Sequence, residues 1–181
     1  GDKTGDAPLS DFVKAYIKKK YNKPGEVFLG TIHRLDRPTS GVVLYARTSK
    51  ALTRMNEQFR EKQVQKTYWA VVDNAPANDS GILENYLLKN QKQNKSYVTK
   101  GLDGKHAILD FKILKKLDNF FHLEIKPKTG RHHQIRVQLA NIGCIIKGDL
   151  KYGAKRSNKD ASIHLLAQKL EFIHPVKKES I

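Results

Sequence analysis

The strongest constraint on the fold is a change in hydrophobic spacing along the chain. Over 9–21, apolar residues recur every three or four positions, as they do on one face of an α-helix. Over 107–114 and 120–126, apolar and polar residues alternate instead, which is typical of half-buried strands. The second of these strands places three apolar side chains on one face: Phe121, Leu123 and Ile125. The chain must therefore form both helices and strands.

Two helices are expected before the alternating segments. Ser10 is the expected N-cap of the first helix, and Pro24 and Gly25 are expected to end it. The second helix is expected to run from a Ser49 cap through Phe59, because apolar residues again recur at helical spacing.

Strands are expected on either side of the second helix, at 41–47 and 66–73, because β-branched and aromatic residues concentrate there. A final strand is expected at 165–172. The stretch 74–81 (NAPANDSG) has the residues of a loop, and 89–104 is polar enough to form a long, mobile, basic loop.

The segment 132–143 (HHQIRVQLANIG) fits two structures. Alternation from Ile135 to Leu139 suits a strand, whereas the spacing of Ile135, Leu139 and Ile142 suits a helix that ends at Gly143. The length of the segment and its terminal glycine favour the helix.

Composition narrows the range of functions. A chain of 181 residues favours a single domain. Its 34 Lys and Arg against 18 Asp and Glu give a formal charge of +16, which indicates a polyanionic partner. The single cysteine, Cys144, excludes an internal disulfide framework. Because 1–11 resemble no signal peptide and no apolar stretch is long enough to span a membrane, we expect a soluble, cytoplasmic protein. We also expect a monomer.

The densest candidate site is the segment 33–41 (HRLDRPTSG), where Asp36 lies between Arg34 and Arg37. Neighbouring cations favour the charged carboxylate, which suits a nucleophile or base better than a general acid. No second carboxylate lies nearby in the sequence, which fits covalent catalysis better than a two-carboxylate scheme. The alternative is an aspartate that caps a turn between solvated arginines.

A second cluster, 126–136 (KPKTGRHHQIR), places cations around a Thr-Gly turn that is expected to open a helix and to bind an anion. On that helix His132 and His133 would project about 100° apart and would be poor joint metal ligands. Cys144 is expected in the core. The P-loop, GxGxxG, GxSxG and HExxH motifs are absent from the sequence.

Tyr68 alternates with Trp69 in a predicted strand, so one ring is expected to face the core and the other a cleft. Most strand tyrosines only pack. The alternative is a platform on which an unpaired base stacks.

Taken together, these segments resemble the RluA-type RNA pseudouridine synthases, a family that carries HRLDxxTSG, KxYxAxV, TGRxHQIR and GDxxYG motifs. All four occur here in that order, and the likeness extends over roughly 5–175. The matching segments are HRLDRPTSG (33–41), KTYWAVV (66–72), TGRHHQIR (129–136) and GDLKYG (148–153), followed by LEFIHP (170–175).

The resemblance implies an α+β pseudouridine synthase fold, in which helices flank a mixed, mainly antiparallel sheet with a central active-site cleft. It implies that Asp36 is the catalytic aspartate and that Arg136 pairs with it. Tyr68 is expected to stack on the target base and to help remove its C5 proton, and Arg34 to fill the space that the flipped nucleotide leaves. No metal or organic cofactor is expected.

The expected partner is ribosomal or transfer RNA. The residues expected to bind it are Arg34, Arg37, Thr39, Lys66, Lys128, Arg131, His133 and Leu165.

The chain departs from the family pattern in three respects. The usual first strand, with its NKPxG segment, has no match before Gly5, and further residues are expected after Ile181. The usual LHA reads LLA at 165–167, which makes Leu165 the expected apolar contact beneath the base. No segment of 1–181 matches the S4-like RNA-binding domain that many members of the family carry. We therefore expect 1–181 to be one catalytic domain without its first strand and its C-terminal end.

Two other function classes compete with an RNA-modifying isomerase. The first is an RNA-binding module on the same fold that carries out no chemistry, and the second is a basic hydrolase or nuclease. A carboxylate that points at a polyanion would weaken binding, so Asp36 favours an enzyme over a binding module. The sequence offers no identifiable carboxylate cluster or paired-histidine site for a nuclease.

Overall fold

The computed structural model describes residues 5–101 and 103–181. Over these residues the chain forms helices and strands in the mixture predicted, and none of the helices is long and apolar enough to cross a membrane. In chain order the elements are α1 (Leu9–Lys20), β1 (Gly30–Thr31), β2 (Ser40–Gly41), β3 (Tyr45–Ala46), α2 (Ser49–Arg60), β4 (Gln65–Val72), β5 (Ser80–Asn90), β6 (Lys95–Thr99), β7 (Lys105–Lys116), β8 (Phe121–Pro127), α3 (Gln134–Asn141), a 3₁₀ turn (Leu150–Tyr152) and β9 (Leu165–Glu171).

The chain divides into two compact units. The first comprises residues up to Arg34, Val43–Gln63 and Ile173–Ile181, and it contains α1, β1, β3 and α2. The second comprises Leu35–Val42 and Val64–Phe172, and it contains the remaining strands and α3. The single domain expected from the chain length stays a prediction.

Both predicted helices of the first unit form, but each begins with a different cap from the one expected. Pro8 is the N-cap of α1, because proline fixes φ and has no N–H to leave unpaired, and Ser10 lies inside the first turn. Thr48, not Ser49, is the N-cap of α2: its Oγ1 accepts a hydrogen bond from the Ala51 N–H at 3.1 Å.

The prediction of one continuous strand at 41–47 is wrong, because only the two ends of this segment pair with other strands. Ser40–Gly41 forms β2 beside β9, and Tyr45–Ala46 forms β3 beside β1. Between them the Leu44 N–H donates to His33 Nε2 at 2.9 Å instead of to a neighbouring strand. Because this hydrogen bond goes to a side chain, the pairing of β3 with β1 stops at Tyr45.

A seven-stranded sheet forms the second unit, in the order β2-β9-β4-β8-β7-β5-β6. All neighbours are antiparallel except β2 and β9, which run parallel. The strands β4, β7, β8 and β9 fall where strands are predicted. Their antiparallel pairing confirms the expected, mainly antiparallel sheet.

The two faces of this sheet differ in character. One face, the α3 face, packs against α3 through buried side chains of the strands and the helix: Ala70, Val72, Leu109, Leu123, Ile125, Ile135 and Leu139. Phe121 packs against the same cluster, which confirms that it shares a face with Leu123 and Ile125. The opposite face carries the alternate residues of the same strands, among them Trp69, Asp110, His122 and Glu124.

The segment 89–104, expected to be a loop, continues β5 and turns back as β6. Cross-strand pairs run from Tyr86↔Thr99 to Asn90↔Lys95. Ser96 is buried in this hairpin, and its N–H donates to the Tyr152 hydroxyl at 2.9 Å. A tertiary anchor of this kind is not visible in the polar composition, which explains why the prediction was wrong.

The helix favoured for the ambiguous segment is confirmed as α3. Gly143, at φ +78°, follows the Ile142 C-cap, and its N–H donates to the Ala140 carbonyl at 3.0 Å. The Cys144 N–H reaches back to the Leu139 carbonyl at 3.0 Å, which completes a Schellman motif.

Candidate active site

Asp36 lies on a turn that the second unit holds from two sides. The Thr39 N–H donates to the Asp36 carbonyl at 2.8 Å and closes the turn around Arg37 and Pro38. The Pro38 carbonyl in turn accepts a hydrogen bond from the Ile163 N–H at 2.9 Å, just before β9. The backbone beneath the carboxylate is therefore fixed, while the Asp36 side chain remains 33% exposed.

Gly41 allows this turn to join the sheet. It adopts φ +126°, and a Cβ at this position would lie 2.6 Å from the Ala167 nitrogen. Only glycine tolerates both the conformation and the approach. The Val42 N–H then donates to the Ala167 carbonyl at 2.9 Å, which ties the turn to β9.

Arg136 projects from α3 and holds two aspartates. Its Nε and Nη2 bind the two carboxylate oxygens of Asp149 at 2.7 Å each, and its Nη1 lies 3.6 Å from Asp36 Oδ2. The side chains of Arg136 and Asp149 are 4% and 1% exposed. Burial opposes the charged guanidinium, but the hydrogen bonds and charge of Asp149, together with the charge of Asp36, outweigh it and raise the pKa of Arg136.

Asp149 is therefore a second carboxylate near Asp36 in space, although none is near in sequence. Both of its oxygens are bound by the Arg136 guanidinium in the bidentate geometry that arginine favours. A carboxylate engaged in this way orients Arg136 and does not act as a second acid or base.

His133 forms another wall of the site. Its Nε2 lies 3.9 Å from Asp36 Oδ2, and its Nδ1 hydrogen-bonds the Tyr152 hydroxyl at 3.0 Å. Burial, with the neighbouring charges of Arg136 and His132, lowers the pKa of His133 to about 3. The imidazole is consequently neutral at pH 7, and its contact with Asp36 is not an ion pair.

The buried, neutral His133 predicts how stability depends on pH. An unfolded histidine titrates at about 6.5, whereas the folded His133 titrates at about 3. Between these values the unfolded chain binds more protons at this position, so the free energy of unfolding falls as the pH falls through that window. We expect His133→Gln to reduce this fall in urea denaturation at pH 6.5 and 5. An equal fall in both proteins would contradict the neutral imidazole.

Tyr68 and Lys66 point from β4 toward the same side as the core residue Ala70, because side chains alternate along the strand. Burial and the charge of Asp36 raise the pKa of Tyr68, so its hydroxyl stays protonated. Burial also lowers the pKa of Lys66, whose Nζ would lie 3.5 Å from a Cβ at Gly130. No carboxylate among residues 5–101 and 103–181 forms an ion pair with this amine.

The structure thus brings together Asp36, Arg136 and Tyr68, the three predicted catalytic residues. Trp69 lies on the opposite face of the sheet, where it lines a cleft of about 320 Å³ with His122. The two rings therefore lie on opposite faces, as their alternation predicts: Tyr68 packs against the core cluster and Trp69 lines the cleft.

The predicted RNA-binding residues are more scattered. Lys128 pairs with Asp110 at 2.8 Å on the opposite face of the sheet, and the Arg131 Nε donates to the His106 carbonyl at 2.8 Å. Arg34 is exposed and belongs to the first unit.

The other predicted contacts lie within the second unit. Arg37 is exposed on the Asp36 turn, and Leu165 is buried in the core cluster. The Thr39 hydroxyl is buried without a hydrogen-bond partner among the described residues.

The expected placement of the two adjacent histidines on a helix is wrong. His133 is the N-cap of α3, at φ +53°, and His132 precedes it. The positive φ turns the two rings onto each other, so that they stack with centroids 3.8 Å apart. Within the described residues, no group of three or more His, Cys, Asp or Glu side chains could hold a metal ion.

Cys144 is fully buried, as expected for a core residue. Burial, together with the charge of Asp73, raises the pKa of its thiol to about 11. The thiol is therefore protonated and unreactive at neutral pH.

Sequence reasoning assigned no role to Asp149 or Tyr152. One signal could have indicated the aspartate, since Asp149 is the only acidic residue between Glu124 and Asp160, in a stretch rich in cations. Tyr152 has no such signal, because its hydroxyl is positioned by Ser96 on a distant strand.

Comparisons with known proteins identify the family of this chain. The family model described as RNA pseudouridylate synthase matches residues 3–141. The chain is 37% identical over 173 residues to a ribosomal large subunit pseudouridine synthase C of Buchnera aphidicola, covering 91% of the chain and 54% of that protein. It is 36% identical to the protein of the same name from Vibrio vulnificus, covering 87% of the chain and 51% of that protein. The chain spans about half the length of these curated relatives.

The fold is also similar to that of a solved human structure, RNA Pseudouridylate Synthase Domain Containing 4. The TM-score is 0.79 at 24% sequence identity, over 93% of this chain and 76% of that chain. This likeness concerns the fold, and the sequence matches give the family. The chain belongs to the RNA pseudouridylate synthase family.

Proposed function

We propose that this protein isomerises uridine to pseudouridine in RNA, with Asp36 as the catalytic residue. The observation that carries the proposal is a partly exposed carboxylate on a fixed turn, 3.6 Å from a guanidinium that is itself buried and bound by Asp149. Because Asp149 already holds Arg136, the guanidinium can keep Asp36 charged and oriented without moving.

In the proposed reaction Asp36 attacks the target uridine and the N1–C1′ bond breaks. The base turns, a bond forms between C5 and C1′, and the bond between Asp36 and the nucleoside breaks, which restores the carboxylate. The proton on C5 leaves to solvent, and N1 takes up a proton, so that the product is an isomer of the substrate. None of these steps requires a metal or an organic cofactor.

Tyr68 and Lys66 are proposed to hold the target nucleotide. The ring of Tyr68 offers a surface on which the base stacks. Its neutral hydroxyl relays the C5 proton to solvent, because the oxygen accepts that proton as it gives up its own to water. The amine of Lys66 beside Gly130, which forms no ion pair among the residues that the structure describes, is suited to a phosphate oxygen.

Further contacts to RNA are proposed from the sequence predictions. Reaching the target base requires it to leave its stack, at a cost of a few kcal/mol, and phosphate binding by a chain of charge +16 offsets that cost. Arg34 is proposed to occupy the place of the flipped nucleotide. The other proposed contacts are Arg37, Thr39, Lys128, Arg131, His133 and Leu165.

The names of the curated relatives favour ribosomal RNA of the large subunit as the first substrate class to test, with transfer RNA as the alternative. We also propose that the protein acts in the cytoplasm as a monomer.

Release of tritium tests the proposed reaction directly. RNA transcribed with C5-tritiated uridine is incubated with the protein, and tritium in water is counted. We expect release with ribosomal RNA of the large subunit. Tight binding without release from either ribosomal or transfer RNA would instead support a module that binds RNA without chemistry.

Tyr68→Phe is expected to separate stacking from proton transfer. The variant keeps the ring, so RNA affinity should stay within about threefold, or about 0.7 kcal/mol. Loss of the hydroxyl should slow tritium release under single-turnover conditions by about a hundredfold. Tyr16→Phe, the same change in the first unit, is the control and should retain full activity. Equal rates in Tyr68→Phe and the control would remove the hydroxyl from the mechanism.

A further inference from the structure

We propose that the turn between β5 and β6, together with Lys151, binds phosphates of the RNA strand that carries the target nucleotide. This surface, here termed the hairpin-tip surface, consists of Lys89, Asn94, Lys95, His132 and Lys151. The identity of the polyanion rests on the proposed function, whereas the presence of an anion-binding surface does not.

Within the part of the chain that the structure describes, no carboxylate forms an ion pair with the lysines of the hairpin-tip surface. Residues 85–101 contain four lysines and no acidic residue. Lys151 Nζ donates to the carbonyls of Gln93 and Asn94 at 3.3 and 3.2 Å, and it has no ion pair among the described residues. Lys95 Nζ lies 5.1 Å from the centre of the Tyr152 ring. These contacts position both ammonium groups without neutralising them.

His132 connects this surface to the candidate active site. Its Nε2 lies 3.1 Å from Asn94 Oδ1 and its Nδ1 lies 2.8 Å from Ser96 Oγ, so both ring nitrogens are bound to the hairpin. The His132 ring also stacks on the His133 ring, and His133 in turn contacts Asp36. The hairpin tip is therefore fixed beside the catalytic carboxylate.

Lys89 lies on the same face of the hairpin as Ser96, its cross-strand partner, whose Oγ lies 2.8 Å from His132 Nδ1. Burial, followed by the charge of Lys89, lowers the pKa of His132, and Lys151 contributes in the same direction. The charge of Asp36 acts on this ring with the opposite sign. Lys89, Lys151 and Asp36 thus share one neighbourhood, where a strand held by the lysines would lead toward Asp36.

The opposite face of the sheet is different, because its cations are largely paired. Lys128 binds Asp110 at 2.8 Å, and Lys126 binds Glu124 at 3.2 Å. Glu124 also lies across from Lys112 in the strand register. A polyanion that approaches this face is repelled by the carboxylates as well as attracted by the lysines. The hairpin-tip surface is therefore the more favourable binding site for a polyanion.

Matched charge removal tests this inference. The double variant Lys89→Gln/Lys151→Gln removes two exposed charges from the hairpin-tip surface, and Lys112→Gln/Lys126→Gln removes two exposed charges from the opposite face. Both doubles lower the net charge equally. Affinity for a fluorescently labelled stem-loop RNA with a uridine in its loop is measured between roughly 50 and 200 mM salt. Tritium release is measured separately on the wild type.

For the hairpin-tip double we expect the slope of log K against log salt to become shallower by about 1.4 to 1.8, the value for two lost phosphate contacts. The control double should change the slope by less than half of that. Equal slope changes in the two doubles, or a larger change in the control, would overturn the inference. The slope result is independent of catalysis: if the wild type releases no tritium but the slopes differ as expected, the proposed function fails and the RNA-binding surface stands.

Discussion

Replacing Asp36 by asparagine is expected to abolish isomerisation while leaving the fold and RNA affinity nearly intact. The amide has almost the same shape as the carboxylate, but it is not a nucleophile. We expect tritium release to fall by at least about 10⁴-fold, the size of loss seen when a covalent nucleophile is removed. RNA affinity should change by less than about fivefold, or about 1 kcal/mol.

The structure explains why this variant should fold. Arg136 keeps its two hydrogen bonds to Asp149. Its buried guanidinium therefore still has a carboxylate partner when residue 36 no longer carries a negative charge. The turn depends on the Asp36 carbonyl and not on its side chain. Asp118→Asn, the same change at an exposed turn, is the control and should retain full activity. Turnover by Asp36→Asn at more than about a hundredth of the wild-type rate would remove Asp36 from its proposed role.

The second large effect is expected on stability, from the pair Arg136 and Asp149. Asp149→Ala leaves the Arg136 guanidinium buried without its bidentate partner. Breaking one partner of a buried pair costs about 3 to 5 kcal/mol, and the variant should lose that much free energy of unfolding in urea denaturation. Lys169→Gln, which breaks an ion pair at the surface, should cost about 1 kcal/mol or less.

A double variant separates the loss of a partner from the loss of packing. Asp149→Leu/Arg136→Met removes both charges and keeps apolar volume, so it should recover at least half of the stability that Asp149→Ala loses. It should nevertheless release no tritium, because nothing then holds Asp36 in its oriented, charged state. A double variant no more stable than Asp149→Ala would show that packing around Asp149, and not its charge, accounts for the loss.

The candidate segments 33–41 and 126–136 were identified from local features that a sequence displays directly, whereas the pairing of Arg136 with Asp36 came from the resemblance to a known family. Asp36 stands between two arginines and shortly before Gly41, and the structure shows why a glycine is needed there: φ is positive and β9 approaches closely. Gly143 likewise marked the end of α3 through its own backbone requirement. Signals of this kind can be recognised in the sequence without any knowledge of tertiary contacts.

The features that sequence reasoning missed depend on distant partners or on a backbone angle. Ser10 and Ser49 are good cap residues, but the caps are Pro8 and Thr48, because the cap is the residue with extended backbone. The stacking of His132 on His133 follows from a positive φ at His133, which hydrophobic periodicity does not encode. The hairpin of β5 and β6 was taken for a loop because its anchor, Tyr152, lies far along the chain.

The parallel pairing of β2 with β9 has a consequence for the order in which the protein acquires its structure. Gly41 and Ala167 pair across most of the length of the chain, so closing this contact carries the entropic cost of a very long loop. Contacts of such high sequence separation form late in folding. During synthesis the turn that carries Asp36 is made early, yet it gains its last restraint only when β9 has left the ribosome. The nascent chain can thus expose its lysines before the turn that carries Asp36 is ordered.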